Sequence, residues 1–193
     1  MISRVQGLVL AREGGRVEVE TRGGVVYEVD VPLTVLERLP NAGGAIELRT
    51  VQVVTDSSVA LYGFLGAHER SLFQRLLSVS GVGPKLALSM MSTYSAERLA
   101  RALVEKDVAA LTQVSGIGKK TAERLVLELR DRVADLAIVT PTGRPGDAVA
   151  QEAVQALIAL GYTFGDADQA VRGALKEGGA GTAQDLIRRA LAG

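Results

Sequence analysis

The chain has 193 residues, of which 47% are apolar, and its 22 basic residues are balanced by 22 acidic ones; this composition excludes a disordered chain and predicts a globular protein of one to three domains. The absence of cysteine excludes disulfides, iron–sulfur clusters and thiol nucleophiles. The sequence has no apolar run of membrane-spanning length and no signal-peptide pattern at its start, so we expect a cytoplasmic protein without a membrane segment.

Apolar residues alternate at period two through residues 1–64, in short runs separated by glycine turns. The strands are predicted at 1–12, 16–21, 25–31, 45–55 and 59–64, with a short helix at 32–39. Five strands with a helical insert between the third and the fourth outline an OB-fold barrel. Such barrels often carry nucleic-acid surfaces, although a role as scaffold or oligomer interface is the alternative.

Residues 65–137 are predicted to be helical, with helices near 69–79, 84–93, 95–104, 107–114 and 119–135. They contain two near-copies of one motif, 35 residues apart, which we call the first hairpin (Ser80–Ala87) and the second hairpin (Ser115–Ala122). Each copy runs from an apolar helix through a Gly-x-Gly turn into a new helix. The duplication predicts a tandem helix-hairpin-helix domain.

Each turn has two glycines, one residue apart, with a β-branched apolar residue between them. We expect Val82 and Ile117 to hold the turns against the core. Free backbone N–H groups at the start of a helix favour an anion, and lysines follow in both copies, so the predicted ligand is a phosphate. The candidate residues are Gly81, Val82, Gly83, Lys85, Gly116, Ile117, Gly118, Lys119 and Lys120. Arg124, one turn further on, is either another phosphate contact or an ion-pair partner of Glu128.

Other glycine-rich phosphate sites do not fit this pattern. Neither copy follows a strand, and the third glycine of a dinucleotide-binding loop is missing. A Walker A loop would place its second glycine directly before Lys-Ser or Lys-Thr. The helix-hairpin-helix remains, which holds a nucleic-acid backbone without reading its sequence. For a single copy, an ordinary glycine turn between packed helices is the alternative.

The distribution of charge supports nucleic acid despite the zero total. Residues 1–63 carry 6 basic and 8 acidic side chains, residues 64–135 carry 11 and 8, and residues 136–193 carry 5 and 6. The positive excess therefore lies with the hairpins. Because it is small, we expect binding through placed contacts more than through bulk attraction.

Residues 138–147 contain two prolines and two glycines without periodicity and are predicted to be a flexible linker. Residues 148–193 are expected to form a small three-helix bundle, with helices near 147–160, 166–177 and 182–192 and a capping box at Thr182 and Asp185. Its predicted core is Val154, Leu157, Ile158, Leu160, Val171, Leu175, Leu186, Ile187 and Leu191. So small a unit is most simply a docking module for another protein.

Catalytic patterns are missing from the sequence. His68 is the only histidine, so neither a catalytic triad nor a histidine cluster is available. No spaced pair of carboxylates marks a pocket, and no nucleotide-binding loop is present. We therefore predict a non-catalytic protein that needs no cofactor and no metal.

Five segments of the sequence match a known family: residues 1–7, the joint Leu61–Phe64, residues 81–88, residues 116–125 and residues 156–162. In these segments the chain resembles the RuvA family of bacterial Holliday-junction-binding proteins. The resemblance implies an α+β multi-domain chain with an OB-fold barrel, a tandem helix-hairpin-helix domain and a three-helix domain. It also implies a homotetramer, or two tetramers paired as an octamer, that holds an open four-way DNA junction. The RuvB hexameric ATPase would dock on residues 148–193, and the RuvC resolvase would cleave the product.

By the same resemblance, the hairpin residues and Arg124 match positions that contact the duplex backbone. The family's acidic pin corresponds to residues 54–58, where this chain has a single carboxylate, Asp56, instead of adjacent acids. Four copies around a tetramer axis would still repel phosphates, though more weakly. Two other functions remain open from the residues alone: a helix-hairpin-helix DNA repair enzyme, and a general duplex-binding protein.

Overall fold

The computed structural model of the chain describes residues 1–137, 147–162, 164–178 and 182–192. Its strands are β1 (Arg4–Glu13), β2 (Arg16–Glu20), β3 (Val26–Asp30), β4 (Ala45–Val54) and β5 (Val59–Phe64). Its helices are α1 (Leu33–Leu36), α2 (Ala67–Leu77), α3 (Pro84–Thr93), α4 (Ala96–Val104), α5 (Val108–Thr112), α6 (Lys119–Leu129), α7 (Asp147–Ala159), α8 (Phe164–Gly178) and α9 (Ala183–Ala192). The predicted linker lies outside the described residues, except for its last residue, Asp147, which begins α7.

The five strands within residues 1–64 close into a barrel in the order β1-β2-β3-β5-β4. Strands β3 and β5 are parallel and close the barrel through a contact between Asp30 and Tyr62. The β1–β2, β2–β3, β1–β4 and β4–β5 pairs are antiparallel. Helix α1 lies between β3 and β4. At Gly7 a Cβ atom would stand 1.9 Å from the Glu20 carbonyl oxygen, so only glycine allows β1 and β2 to approach this closely. The predicted OB-fold is confirmed.

The β4–β5 hairpin continues beyond the rest of the barrel. Strand β1 pairs with β4 only as far as Arg49, whereas β4 and β5 pair onward from Arg49 and Phe64 to Val54 and Val59. Side chains on one face of this extension pack into the core of the helices: Val51, Val53, Ala60, Tyr62 and Phe64. The barrel and the helices α2–α6 therefore share buried side chains.

The helices after the barrel follow the predicted hairpins. Pro84 occupies the first position of α3, as expected. The starts of α4 and α5 are capped by side chains: the Ser95 hydroxyl accepts from the Arg98 amide at 3.3 Å, and the Asp107 carboxylate accepts from the Ala110 amide at 2.9 Å.

The predicted end of the last hairpin helix is wrong. Helix α6 ends at Leu129 rather than at residue 135, and a short 3-10 helix, Ala134–Leu136, follows. Beyond this end the chain makes a tertiary contact, in which the Arg75 guanidinium of α2 donates to the Arg132 carbonyl oxygen. In a continuous helix that oxygen would accept from the Leu136 amide, which here donates to the Val133 carbonyl at 2.9 Å.

Helices α7, α8 and α9 pack around a separate core. Its buried members are Ala153, Val154, Leu157, Ala167, Val171, Ala174 and Leu186. The capping box of α9 is confirmed, since Thr182 and Asp185 each accept from the other's backbone amide at 3.2 Å. Two predicted core residues are exposed instead, Leu160 to 65% and Leu191 to 48%. Leu160 follows the last residue of α7, where the chain turns away through Gly161 (φ 98°), and Leu191 is in the last turn of α9.

Candidate nucleic-acid interface

The two glycine turns have the same backbone geometry. The Val82 amide donates to the Val79 carbonyl at 3.1 Å, and the Ile117 amide donates to the Val114 carbonyl at 3.0 Å. Gly81 and Gly116 have φ values of 84° and 89° at the third position of each turn. This is a type II turn, which requires a positive φ at that position and therefore favours glycine. The duplicated sequence motif therefore has a duplicated backbone conformation.

The residue between each pair of glycines is buried, as predicted. Val82 is 5% exposed and Ile117 is 6% exposed, and both belong to the core of the helices. An apolar side chain buried at the centre of a turn fixes the turn to the domain. The backbone groups on its outer side are therefore held in place before any ligand arrives.

The second glycine of each pair begins a helix. Gly83 is the N-cap of α3 and Gly118 is the N-cap of α6, both with φ −88°, and neither cap has a side-chain hydrogen bond. A Cβ atom at either position would meet nothing within 4 Å. Neither the backbone angles nor the packing of this chain requires glycine at these sites. Glycine here leaves the helix N-terminus open to a ligand that approaches the backbone closely.

The lysines around the two N-termini are exposed. Lys85 follows Pro84 in α3, and Lys119 and Lys120 are the first two residues of α6. Lys119 lies 4.0 Å from the Glu123 carboxylate with 81% of its side chain exposed. A surface pair of this kind contributes little, so the lysine remains available to an anion.

Arg124 links the two hairpins. Its Nη1 donates to the Ser80 carbonyl oxygen at 3.2 Å, across 44 positions of sequence. In the opposite direction, a Cβ built on Gly116 of the second hairpin would lie 3.4 Å from Leu86 Cδ1 of the first. Sequence reasoning missed both contacts, because no local pattern reports a pairing across this distance. The two hairpins therefore form one site.

Asp56 lies on a different element, at the tip of the β4–β5 hairpin. Thr55 and Ser58 make the hydrogen bonds of this turn: the Thr55 amide donates to the Ser58 carbonyl at 2.8 Å, and the Ser58 amide donates to the Thr55 hydroxyl at 3.1 Å. Asp56 is exposed between them, and the adjacent cross-strand pair, Val54 and Val59, is 65% exposed at each residue. The turn presents a carboxylate to solvent.

The described residues contain no group of three or more histidine, cysteine, aspartate or glutamate side chains placed to hold a metal ion. In the same part of the chain, no helix combines the length and the apolar character needed to cross a bilayer.

Three family models match the chain. Residues 1–63 match the RuvA N terminal domain, residues 73–131 match the SAM-like helix-hairpin-helix tandem, and residues 148–193 match the RuvA C-terminal domain. The match to the helix-hairpin-helix tandem covers both glycine turns and α6.

Similar proteins align over nearly the whole chain. A protein of Gemmatimonas aurantiaca is 44% identical over 191 residues, covering 99% of this chain and 97% of the relative. Proteins of Opitutus terrae and of Enterobacter sp. strain 638 are 43% and 42% identical, each covering 99% of this chain and at least 98% of the relative. All three are named Holliday junction branch migration complex subunit RuvA. With identity at this level over its full length, the chain belongs to the RuvA family.

Proposed function

We propose that this chain is the DNA-binding subunit of a branch migration complex, which holds four-way junctions open for the RuvB ATPase during recombination and repair. One observation carries the proposal. Gly83 and Gly118 leave two helix N-termini open where the fold itself does not require glycine. The names of the relatives support the same role.

The proposed contacts are two phosphate clamps. The first clamp is the N-terminus of α3 with Gly81, Val82, Gly83 and Lys85, and the second is the N-terminus of α6 with Gly116, Ile117, Gly118, Lys119 and Lys120. Backbone amides bind phosphate oxygens directly and the lysines add charge. Such contacts carry no sequence information. That property suits branch migration, in which the base pairs at the clamps change at every step.

The barrel would place these clamps around the crossover. We propose a homotetramer in which four copies of Asp56 surround the centre of the junction and repel phosphates from the axis. One carboxylate per subunit makes this effect weaker than a pair would. A second tetramer would cover the other face of the DNA, and Leu127, which is 85% exposed on α6, is an apolar anchor suited to contact between two tetramers.

We propose that residues 148–193 dock the RuvB ATPase, with residues 138–147 as a linker after the units 1–64 and 65–137. Leu160, Tyr162 and Leu191 are 65%, 47% and 48% exposed there, and large apolar side chains of this kind favour a protein partner. Leu160→Ser with Tyr162→Ser is expected to abolish stimulation of the ATPase by the full chain while junction binding stays normal. Gln184→Ala, at an exposed position of α9, is the matched control.

The chain itself is proposed to be non-catalytic, with ATP hydrolysis performed by RuvB and cleavage by RuvC. Because the substrate is chromosomal DNA, we propose that it acts in the cytoplasm. Incubation of the pure chain with branched or damaged DNA is expected to give no cleavage. Cleavage would instead support a helix-hairpin-helix repair enzyme.

The deciding experiment is a binding competition between a four-way junction and linear duplex of equal length. A junction-binding subunit is expected to prefer the junction strongly, whereas a general duplex-binding protein would bind both alike.

Titrations of junction binding at several salt concentrations test whether the clamps contact phosphate. The logarithm of affinity should fall with the logarithm of salt by about 0.9 for each phosphate neutralised. A flat plot would show that the lysines do not contact phosphate.

A further inference from the structure

We infer that Arg124 is a positioning residue, which braces the first clamp from the helix of the second and so fixes the spacing between the two. This inference rests on the proposed function, because it assigns a role within the same DNA-binding site. Its basis is the hydrogen bond from Arg124 Nη1 to the Ser80 carbonyl oxygen at 3.2 Å.

The Ser80 carbonyl belongs to the central peptide of the first turn. The hydrogen bond that closes this turn joins Val82 to Val79 and leaves the Ser80 oxygen outside it. A glycine at position 81 allows the central peptide to flip, because glycine populates both positive and negative φ. Since a peptide unit is planar, the Ser80 oxygen and the Gly81 N–H turn together. Arg124 holds that oxygen toward α6 and thereby fixes the direction of the Gly81 N–H group.

A second contact crosses between the hairpins in the opposite sense. Leu86, in the helix of the first hairpin, lies against Gly116 in the turn of the second, where a built Cβ would be 3.4 Å from Leu86 Cδ1. Arg124, in the helix of the second hairpin, likewise lies against the turn of the first, with its Nη1 3.7 Å from a Cβ built on Gly81. Each helix therefore touches the turn of the other hairpin, one through a polar contact and one through an apolar contact.

This cross-bracing makes the two clamps one rigid recognition unit. Once one clamp has bound a phosphate, the other is held at a set distance along the same duplex, and its binding costs little further ordering. Without the Arg124 contact, the first turn would be free to change its peptide orientation and would also open more often. We therefore expect the loss of Arg124 to weaken the first clamp, although Arg124 belongs to the helix of the second.

A double-mutant cycle on junction affinity separates this role from a direct phosphate contact. Arg124→Ala alone is expected to weaken binding about tenfold, the size expected for loss of one hydrogen bond from a charged donor. In a Gly83→Ala background, where the first clamp is already impaired, adding Arg124→Ala should lower junction affinity by less than about twofold. In a Gly118→Ala background, adding Arg124→Ala should still lower junction affinity about tenfold. An equal factor in both backgrounds would overturn the positioning role and indicate a direct contact.

Amide exchange in the DNA-free full chain supplies an independent readout. Arg124→Ala is expected to speed exchange of the Val82 amide, which closes the first turn, by roughly tenfold. The Ile117 amide of the second turn is the internal reference and should not change. Arg130→Ala removes the same charge from the end of the same helix and is the control variant. Unchanged exchange at Val82 would overturn the brace even if the chain binds junctions. Faster exchange in a chain without junction preference would keep the brace and reject the proposed function.

Discussion

The ring of Tyr62, in the last strand of the barrel, lies 5.0 Å from the ring of Phe73 in α2. The ring of Phe64, which is in the same strand as Tyr62, also lies 5.0 Å from the ring of Phe73. Because Phe64 and Phe73 are fully buried, this aromatic cluster is a structural joint between the barrel and the hairpins. A stiff joint matters for the proposed function, since Asp56 and the clamps must keep a constant relation on one junction.

The joint predicts that barrel and hairpin helices unfold together. Phe73→Ala is expected to lower the free energy of unfolding by about 3 to 5 kcal/mol, because it removes a large buried ring and leaves a cavity. Urea denaturation followed by far-UV circular dichroism measures the change. Gln74→Ala, at the exposed neighbouring position of α2, should stay within about 0.5 kcal/mol of wild type. Loss of the helical signal with the strand signal retained would contradict a shared core.

Gly83 and Gly118, the two clamp glycines that precede α3 and α6, are predicted to be important for DNA binding and to contribute little to folding stability. Gly83→Ala or Gly118→Ala adds a methyl group that meets nothing in the protein but stands where a phosphate would approach. Junction affinity should fall by about tenfold or more, and by more than in Lys119→Ala, which removes one mobile charge. Stability should fall by less than about 1 kcal/mol, the range for changes at an N-cap. Gel-shift titrations with parallel urea melts measure both.

The turn glycines, which also belong to the clamps, are the matched comparison for the stability part of this prediction. Gly81 and Gly116 have φ values of 84° and 89°, where an L-residue is strained. Alanine at these positions should therefore lower stability by about 1 to 2 kcal/mol. If all four glycine variants lost stability equally and kept junction affinity, the clamps would be ordinary glycine turns.

The strands, the hairpins and the helix caps were predictable because each depends on nearby residues. Alternating apolar residues define the strands, and the capping box of α9 joins residues only three positions apart, Thr182 and Asp185. The two turns repeat the same glycines at a constant offset. The candidate phosphate-binding residues therefore came from the sequence, and their assignment to DNA contact stays a prediction.

Features set by distant residues were not predictable. Helix α6 ends at Leu129, and just beyond it the Arg132 carbonyl accepts from Arg75, which is 57 positions earlier in the sequence. The apolar pattern continues past that point, so periodicity alone extends the helix too far. The Arg124 contact has the same origin, because its partner, Ser80, is a backbone carbonyl that any residue would supply. Leu160 fits a helical stripe in sequence, yet it lies just beyond the end of α7.

Lys106, two residues beyond the end of α4, is in the left-handed region, with φ 59°. The Asp107 amide donates to the Ala102 carbonyl at 2.8 Å and the Lys106 amide donates to the Leu103 carbonyl, which is the Schellman pattern. Glycine is favoured at this position, so Lys106→Gly is expected to raise the free energy of unfolding by about 0.5 to 1 kcal/mol. Urea denaturation measures it. Glu105→Gly, one residue earlier at φ −77°, should lower stability instead. Equal destabilisation by both variants would contradict the prediction.

The pair formed by Arg75 and Asp135 predicts a dependence of stability on pH. The hydrogen bond from Arg75 lowers the pKa of Asp135 below its usual value of 3.8, with a further contribution from the positive charge of Arg75. A lowered pKa in the folded state means that the pair stabilises above the unfolded pKa and is lost as the pH falls through the folded pKa. Asp135→Asn is therefore expected to lower stability near neutral pH by less than about 1 kcal/mol, because the carboxylate side chain is 57% exposed. In strong acid the variant is expected to match wild type.

Urea midpoints from about pH 6 down to about pH 3 test this prediction, because that range spans the unfolded pKa of the carboxyl group. Asp131→Asn, at a side chain 90% exposed, is the control and should leave the neutral-pH midpoint unchanged. A difference between Asp135→Asn and wild type that grows as the pH falls would contradict the assigned sign.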